Sequence, residues 1–346
     1  MRKNWGLLAL IVLLCAGTTL YEYATQGTSS FLSAPNWKNL LTFVGLFGTL
    51  SLAQSVVIIT GGIDLSLGSV VGFVGVLAAL LMQRGEGFSP FLVIPFCLTT
   101  GAVFGLTHGL LTTYLRIQPF IITLCGLFIY RGAARFITKD TSQGFGTAYP
   151  GLRLLGSGTL ADLLPSAAHP DSLYAAFLNY LIVVPIPLLL MLLLAILVGA
   201  FLHASPWGRH LFALGANEEA ARFSGVRTQL LKVSAYVICG TLTALGALLM
   251  AFKVNSLGPS DFGGFYELYA IAGAVLGGCS LRGGVGNVPG VILGTMLILL
   301  LRNLVNILHV PSELEYVVVG GAILVGVCAD ELLSRRTLRR QMRKAV

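Results

Sequence analysis

The sequence predicts an all-α, polytopic membrane protein, and three observations carry that prediction. Of 346 residues, 55% are hydrophobic and only 10% are charged, against about 25% charged in a typical soluble domain; mean hydropathy is +0.85. The apolar residues run unbroken, as at 181–202, where a membrane β-strand would alternate apolar and polar over about ten residues. The 42 glycines suit helices that approach closely in lipid. A disordered chain would be poor in apolar residues and rich in charge. Inside a bilayer only helices and closed barrels satisfy the backbone, so the long runs read as helices.

At about 20 residues per crossing, the chain divides into about ten spans. They fall near 6–25, 41–60, 64–82, 90–114, 118–138, 176–201, 231–252, 266–281, 286–308 and 314–331. The second and third meet at Thr60-Gly61-Gly62 with almost no loop, and the eighth is short and Gly-rich. The polar stretch 139–172, rich in Gly, Ser, Pro and Asp, reads as an external loop. The segment 203–230 reads as a cytoplasmic one. Residues 1–334 form a single transmembrane unit, and 335–346 a basic cytoplasmic tail.

Lys and Arg set the orientation, because cytoplasmic loops are enriched in both. With the N-terminus inside, Arg2, Lys3, Arg116, Arg209, Arg222, Arg227, Lys232, Arg282 and the six basic residues after Ser334 lie on the cytoplasmic side. Lys38, Arg84, Lys139, Arg153 and Lys253 lie outside. The bias predicts N-in, C-in. The net charge of +8 is mostly the tail, which suits anchoring to anionic lipid rather than nucleic-acid binding. The first apolar run ends at Leu14-Cys15-Ala16-Gly17. Leu14 stands where a lipoprotein cleavage site needs a small residue, so the run reads as a retained helix. All six cysteines fall inside spans without a C-x-x-C pair, so neither disulfide nor metal use is indicated.

Several chemistries lack their residues. There is no phosphate loop of the G-x-x-x-x-G-K-[ST] type, no H-E-x-x-H and no G-x-S-x-G. Ion-driven carriers and membrane enzymes want clustered ionisable groups inside their spans. Here only Asp64, His108 and Glu267 are deeply placed, which points to an energy source in another chain.

Three segments stand out. Gly61-Gly62-Ile63-Asp64-Leu65-Ser66-Leu67-Gly68-Ser69 interrupts the apolar pattern. Asp64 is placed to cap the following helix at Ser66 or Leu67, and such broken helices often line cavities in transporters. The second segment, 206–227, has a helical centre that Asn217 could cap, bracketed by Gly215 and Gly225. Phe212, Ala216, Ala220 and Phe223 recur at helical steps and make an apolar stripe. Such a helix lies in the lipid interface or docks in a partner's groove. The third segment runs from Gly277-Gly278 to Gly290 and is entered by Tyr266-Glu267-Leu268-Tyr269. The pattern Gly-Gly-x-[Asp/Ser]-Leu-x-x-Gly occurs at 61–68 and again at 277–284, which suggests two pseudo-repeated halves.

Together these segments resemble the permease subunits of ribose-type carbohydrate ABC importers. The matching residues are Gly-Gly-Ile-Asp-Leu-Ser-x-Gly-Ser at 61–69, Gly208-Arg209 through Val226, and Tyr-Glu-Leu-x-Ala-Ile-Ala followed by Val-Leu-Gly-Gly-x-Ser-Leu-x-Gly-Gly-x-Gly over 266–286. Arg302-Asn303-x-x-Asn306 and Val310-Pro311 add to them. The likeness runs from about 38 to 330; the long 139–172 loop and Arg282-Gly283 depart from it. The resemblance implies a bacterial inner-membrane permease, present twice per complex as a second copy or a homologue. Two separate ATPase subunits below would carry ATP and magnesium, and a periplasmic sugar-binding protein would dock above. This chain would then be no enzyme and would hold no cofactor itself.

The resemblance also makes 207–226 a coupling helix, with Gly208, Arg209, Gly215, Asn217, Glu218, Glu219, Ala221, Arg222 and Gly225 facing or shaping the ATPase contact. Candidates for the translocation path and its structural motif are Gln54, Gly61, Gly62, Asp64, Ser66, Gly68, Glu267, Gly277, Gly278, Asn303 and Asn306. Thr123 and Tyr130 are further candidates, with Phe120 and Phe128 as gates. A nucleoside or branched-chain amino-acid permease of the same architecture is the first alternative, and an ion-coupled carrier or membrane enzyme the second.

Overall fold

A computed structural model describes residues 2–83, 88–146, 148–163, 184–311, 314, 316–321 and 324. Thirteen helices are named among them: α1 (Arg2–Gln26), α2 (Ala34–Ile59), α3 (Leu67–Gln83), α4 (Pro90–Tyr114), α5 (Pro119–Thr138), α6 (Pro150–Ser157), α7 (Leu160–Leu163), α8 (Ile186–Ala204), α9 (Pro206–Ala216), α10 (Glu218–Phe223), α11 (Thr228–Val254), α12 (Tyr266–Leu276) and α13 (Val288–Ile307). The described residues hold two isolated β-bridges, Gln143 with Leu257 and Thr159 with Pro185, and no strand. Among the described residues, seven helices are long and apolar enough to cross a membrane: α1, α2, α4, α5, α8, α11 and α13. The all-α polytopic architecture stands.

The remaining expected spans are shorter or lie partly outside the described residues. α3 starts at Leu67, not at 64, and α12 stops at Leu276, not at 281. In both places the Gly-Gly motif takes residues out of the helix. Of the span expected at 176–201, residues 186–201 are helical and 176–183 lie outside the described residues. Residues 316–321 of the span expected at 314–331 are helical; the tail at 335–346 lies outside the described residues. Of the stretch expected as an external loop, 139–172, the described residues 139–146 and 148–163 include the short helices α6 and α7. Pro35, Pro90, Pro119 and Pro150 each sit in the first turn of a helix, where the missing N–H costs nothing. Pro150 thus starts α6, which packs Gly156 against the backbone of Leu249 and Lys253 on α11.

α2 is the axis of the molecule. From Val44 to Ile59 it is buried throughout, with Leu50, Leu52, Val56 and Val57 wholly so, and it touches α8, α11, α12 and α13. The tightest seam joins α4 to α11. Gly101, Gly105 and Gly109 repeat every four residues on α4 and meet the backbone of Gly240, Tyr236 and Val233. Small residues at that spacing let membrane helices close to backbone contact.

Candidate functional site

The first glycine motif breaks the chain at the end of α2. Gly61, at φ +83°, takes the left-handed position that terminates a helix and that only glycine occupies without strain. Its N–H bonds to the Ile58 carbonyl at 2.9 Å, and the Gly62 N–H bonds to the Val57 carbonyl at 3.2 Å. The chain then turns back alongside α2. Gln54 lies against Asp64: with its amide in the orientation that pairs donor with acceptor, it donates to the Asp64 carbonyl at 3.2 Å and accepts from the Asp64 N–H at 3.0 Å. Gln54 is five residues short of the end of α2, about 8 Å at 1.5 Å per residue. Asp64 is therefore inside the bundle, and 4% exposed.

The Asp64 carboxylate is held on both oxygens. Oδ1 accepts the Ser66 N–H at 2.8 Å and the Ser66 hydroxyl at 2.6 Å. Oδ2 faces His108 Nδ1 at 3.7 Å. His108 Nε2 in turn meets the Tyr130 hydroxyl at 3.0 Å, and the Tyr130 ring stacks on Phe104 at 4.0 Å. The expectation that Asp64 would serve the next helix at Ser66 holds, and it fixes Ser66 at the start of α3. Gly68, one residue into α3, lies against the Glu267 carboxylate and the Gly263 carbonyl. Glu267 is buried in the first turn of α12. A buried acid thus lies where the N-termini of α3 and α12 meet inside the bundle. That is where the helix dipole favours negative charge. Arg131 donates to the Phe262 carbonyl at 2.5 Å nearby.

The three sequence segments converge at the inner end of α2, the end predicted to face the cytoplasm. The Gly284 N–H bonds to the Ile59 carbonyl at 2.9 Å. A Cβ on Gly215 would strike that same carbonyl and the Gly284 nitrogen. Gly283, at φ +85°, lies against Gly215 and the Gly61 nitrogen, and Gly61 faces the Arg282 carbonyl. Gly277 meets Gly290 and Gly294 on α13, and Gly278 makes the turn at φ +99°. The two glycine stations therefore touch one another, with α9 wedged against both.

The 203–230 segment is two helices, not one helical centre. Ser205 caps α9 by accepting the Gly208 N–H at 3.0 Å, and Gly208 packs on the Phe201 and Leu202 carbonyls. Asn217, extended at φ −162°, separates α9 from α10 and caps α10 by accepting the Ala220 N–H at 2.9 Å. The stripe expected from Phe212 to Phe223 is divided at that break. Phe212 stacks on His203 at 5.5 Å, whereas Phe223 is 83% exposed with the Arg222 guanidinium over its ring. Arg209 and Glu219 are exposed, Glu218 pairs with Lys232 at 2.6 Å, Ala221 is buried, and Gly225 ends α10 at φ +83°.

A cavity of about 970 Å³ opens beside this junction. Its walls come from Thr60 to Gly62, the α4–α5 turn at Arg116 to Pro119, α10, and the start of α11. Thr112, Thr113 and Tyr236 lie on its inner wall. No sequence motif marks these residues, although Thr112 follows His108 by one turn of α4. Asn303 and Asn306 are elsewhere. Asn303 exchanges amide hydrogen bonds with Asn36 at 2.7 and 3.3 Å, and Asn306 borders a separate cavity of about 130 Å³ with Asn39 and Arg302. Phe120 and Phe128 are exposed on α5, and Thr123 donates back to the Pro119 carbonyl at 2.9 Å. Among the described residues, no group of three or more His, Cys, Asp or Glu could hold a metal ion.

A helical bundle with an interrupted span, a buried acid at the break and a helical pair at its inner face defines a multi-pass membrane permease. The chain belongs to the family described as branched-chain amino acid transport system / permease component, whose model matches residues 8–327. It is 35% identical over 302 residues to the ribose import permease protein of Bacillus subtilis, covering 87% of this chain and 86% of that one. It is 32% identical over 367 residues to the xylose transport system permease protein of Haemophilus influenzae, covering 95% and 97%. The ribose import permease protein of Escherichia coli is 30% identical over 330 residues. No solved structure matches the chain. It is a multi-pass protein of the bacterial inner membrane.

Proposed function

We propose that this chain is the membrane-spanning subunit of an ATP-driven importer and passes a monosaccharide of the ribose type. The observation that carries this reading is the junction itself. Gly215 of the predicted coupling segment is packed on the Ile59 carbonyl, which is also bonded to Gly284. A push on α9 and α10 has no slack to absorb it and passes to both helix breaks. Coupling then means that the ATPase dimer binds the two permease conformations unequally.

ATP and magnesium belong to the partner ATPase, whose groove takes Phe223 with Arg209, Glu219 and Arg222 around it. A second permease copy or homologue completes the membrane part, and a periplasmic binding protein delivers the sugar. Residues 1–334 act as one transmembrane unit, and the tail at 335–346 lies on anionic lipid. The sugar assignment is supported by the ribose and xylose permeases among the relatives. The path candidates are Gln54, Asp64, Ser66 and Glu267 at the break and Asn303 and Asn306 at the other end, shaped by Gly61, Gly62, Gly68, Gly277 and Gly278.

The test is uptake of labelled ribose and xylose into proteoliposomes that hold the permease, its ATPase and binding protein. Uptake that needs all three components and ATP is expected. Uptake by the permease alone would overturn the reading.

A further inference from the structure

We propose that His108 is a positioning residue for transport, a fixed post on α4 that holds the helix break in place through Asp64. The break at 60–66 needs such a post. Asp64 Oδ1 is occupied by Ser66, two residues away, which shapes the break without anchoring it to another helix. Gln54 grips the Asp64 main chain, Gly284 holds the Ile59 carbonyl, and the Thr123 hydroxyl lies 3.3 Å from the Ile63 carbonyl. All three reach the main chain of the break or of the turn before it. Oδ2 is the side-chain atom left for a neighbouring helix, and it faces His108.

Among the described residues, His108 is the basic group paired with Asp64. The other ionisable side chains that interact with Asp64 are Tyr236 and Cys239 on α11 and Glu267 on α12, and none of these supplies a positive charge. Arg131 on α5 interacts with Glu267 and Asp261. Removing one partner of a buried pair leaves the other uncompensated, so Asp64 depends on the imidazole for its place in the bundle.

The surroundings fix His108 more firmly than they fix Asp64. Its ring is 2% exposed, and a Cβ on Gly126 of α5 would come within 2.5 Å of Nε2, so α5 is shaped around the ring. Nε2 shares a hydrogen bond of 3.0 Å with the Tyr130 hydroxyl, and the Tyr130 ring is held on Phe104. On the other side, Nδ1 stands 3.7 Å from Oδ2. That is an ion pair when the imidazole carries its second proton, and it is too long for a directed hydrogen bond. The tie to Tyr130 is short and directional, whereas the tie to Asp64 rests on charge and tolerates a change of length. When α9 presses on the break, Asp64 shifts against a stationary His108, and the contact favours one of the two permease conformations over the other. This role rests on the coupling reading above.

The experiment uses proteoliposomes that hold the permease, its ATPase and binding protein, with ATP-driven uptake of labelled ribose and xylose measured per folded permease. His108→Gln, Asp64→Asn and the double variant form a cycle. Each single substitution should lower uptake turnover about tenfold with little change in KM, and the double variant should be no worse than the poorer single, because a pair that acts as a unit is lost only once. Tyr130→Phe keeps the ring on Phe104 and removes only the hydroxyl, so it should fold as wild type and lower turnover about threefold. If His108→Gln does not fold, Tyr130→Phe takes its place in the cycle. Uptake per folded molecule equal to wild type, or losses that multiply in the double variant, overturns the proposal. A merely structural His108 would lower the yield of folded protein and leave uptake per folded molecule unchanged. Unaffected variants beside ATP-dependent wild-type uptake remove this role alone, whereas wild-type uptake that needs no ATPase removes the importer reading.

Discussion

Asp64 is the residue on which the helix break depends. It is buried, and its Oδ1 satisfies both the backbone and the hydroxyl of Ser66. Asp64→Ala leaves a buried N–H and a hydroxyl without their acceptor, at about 1–3 kcal/mol, and abandons His108. The expected outcome is loss of most ATP-driven uptake with a lowered melting temperature. Asp64→Asn keeps a carbonyl oxygen for Ser66 and should retain more stability than Ala. If uptake by the Ala variant equals wild type, Asp64 is dispensable to the break. The sequence signalled this residue, because a carboxylate beside two glycines in an apolar run needs a partner. His108 and Tyr130 could not be assigned to it, because they come from helices 44 and 66 positions further along and only packing brings them together.

At the scale of elements, glycine spacing is the decisive variable. Gly105 on α4 faces the Tyr236 carbonyl, while Gly132 on α5 has open space around the position of a Cβ. Gly105→Val should therefore force α4 off α11, at about 1–3 kcal/mol or more, and abolish recovery of folded protein. Gly132→Ala should be neutral or stabilising by up to about 1 kcal/mol, because alanine is the better helix former. Thermal melts of the detergent-purified variants check both, and equal behaviour would mean that the seam does not set stability. Phe223 on α10 makes a different demand. It is exposed, so Phe223→Ala should leave the melt unchanged yet lose co-purification with the ATPase and with it uptake. Intact ATPase binding would move the docking anchor elsewhere. The capping of α10 by Asn217 was legible from sequence. The separation of α9 from α10 was not: a continuous apolar stripe reads the same whether the backbone at Asn217 is helical or extended.

For the whole molecule, the testable property is orientation. Ser142 lies beyond the end of α5 and Ser224 at the end of α10, both exposed. In a cysteine-free background, Ser142→Cys should react with a membrane-impermeant maleimide in intact spheroplasts. Ser224→Cys should react only after permeabilisation. The reverse pattern would invert the N-in assignment that rests on the Lys and Arg bias.

The sequence by itself determined the solvent and the architecture. With 10% charged residues, the chain has too little polarity for a surface in water, and backbone satisfaction in lipid leaves helices as the outcome. It also marked the three glycine-bearing segments, since glycine and aspartate within apolar runs break helices wherever they fold. Only the tertiary structure decided that these segments meet, that Ile59, Gly215 and Gly284 share one point of contact, and that Asn303 and Asn306 lie apart from the break. Local composition fixes how each segment bends. Which bends touch depends on helix lengths and on the glycine seams that draw the helices together, and that information is spread over the whole chain.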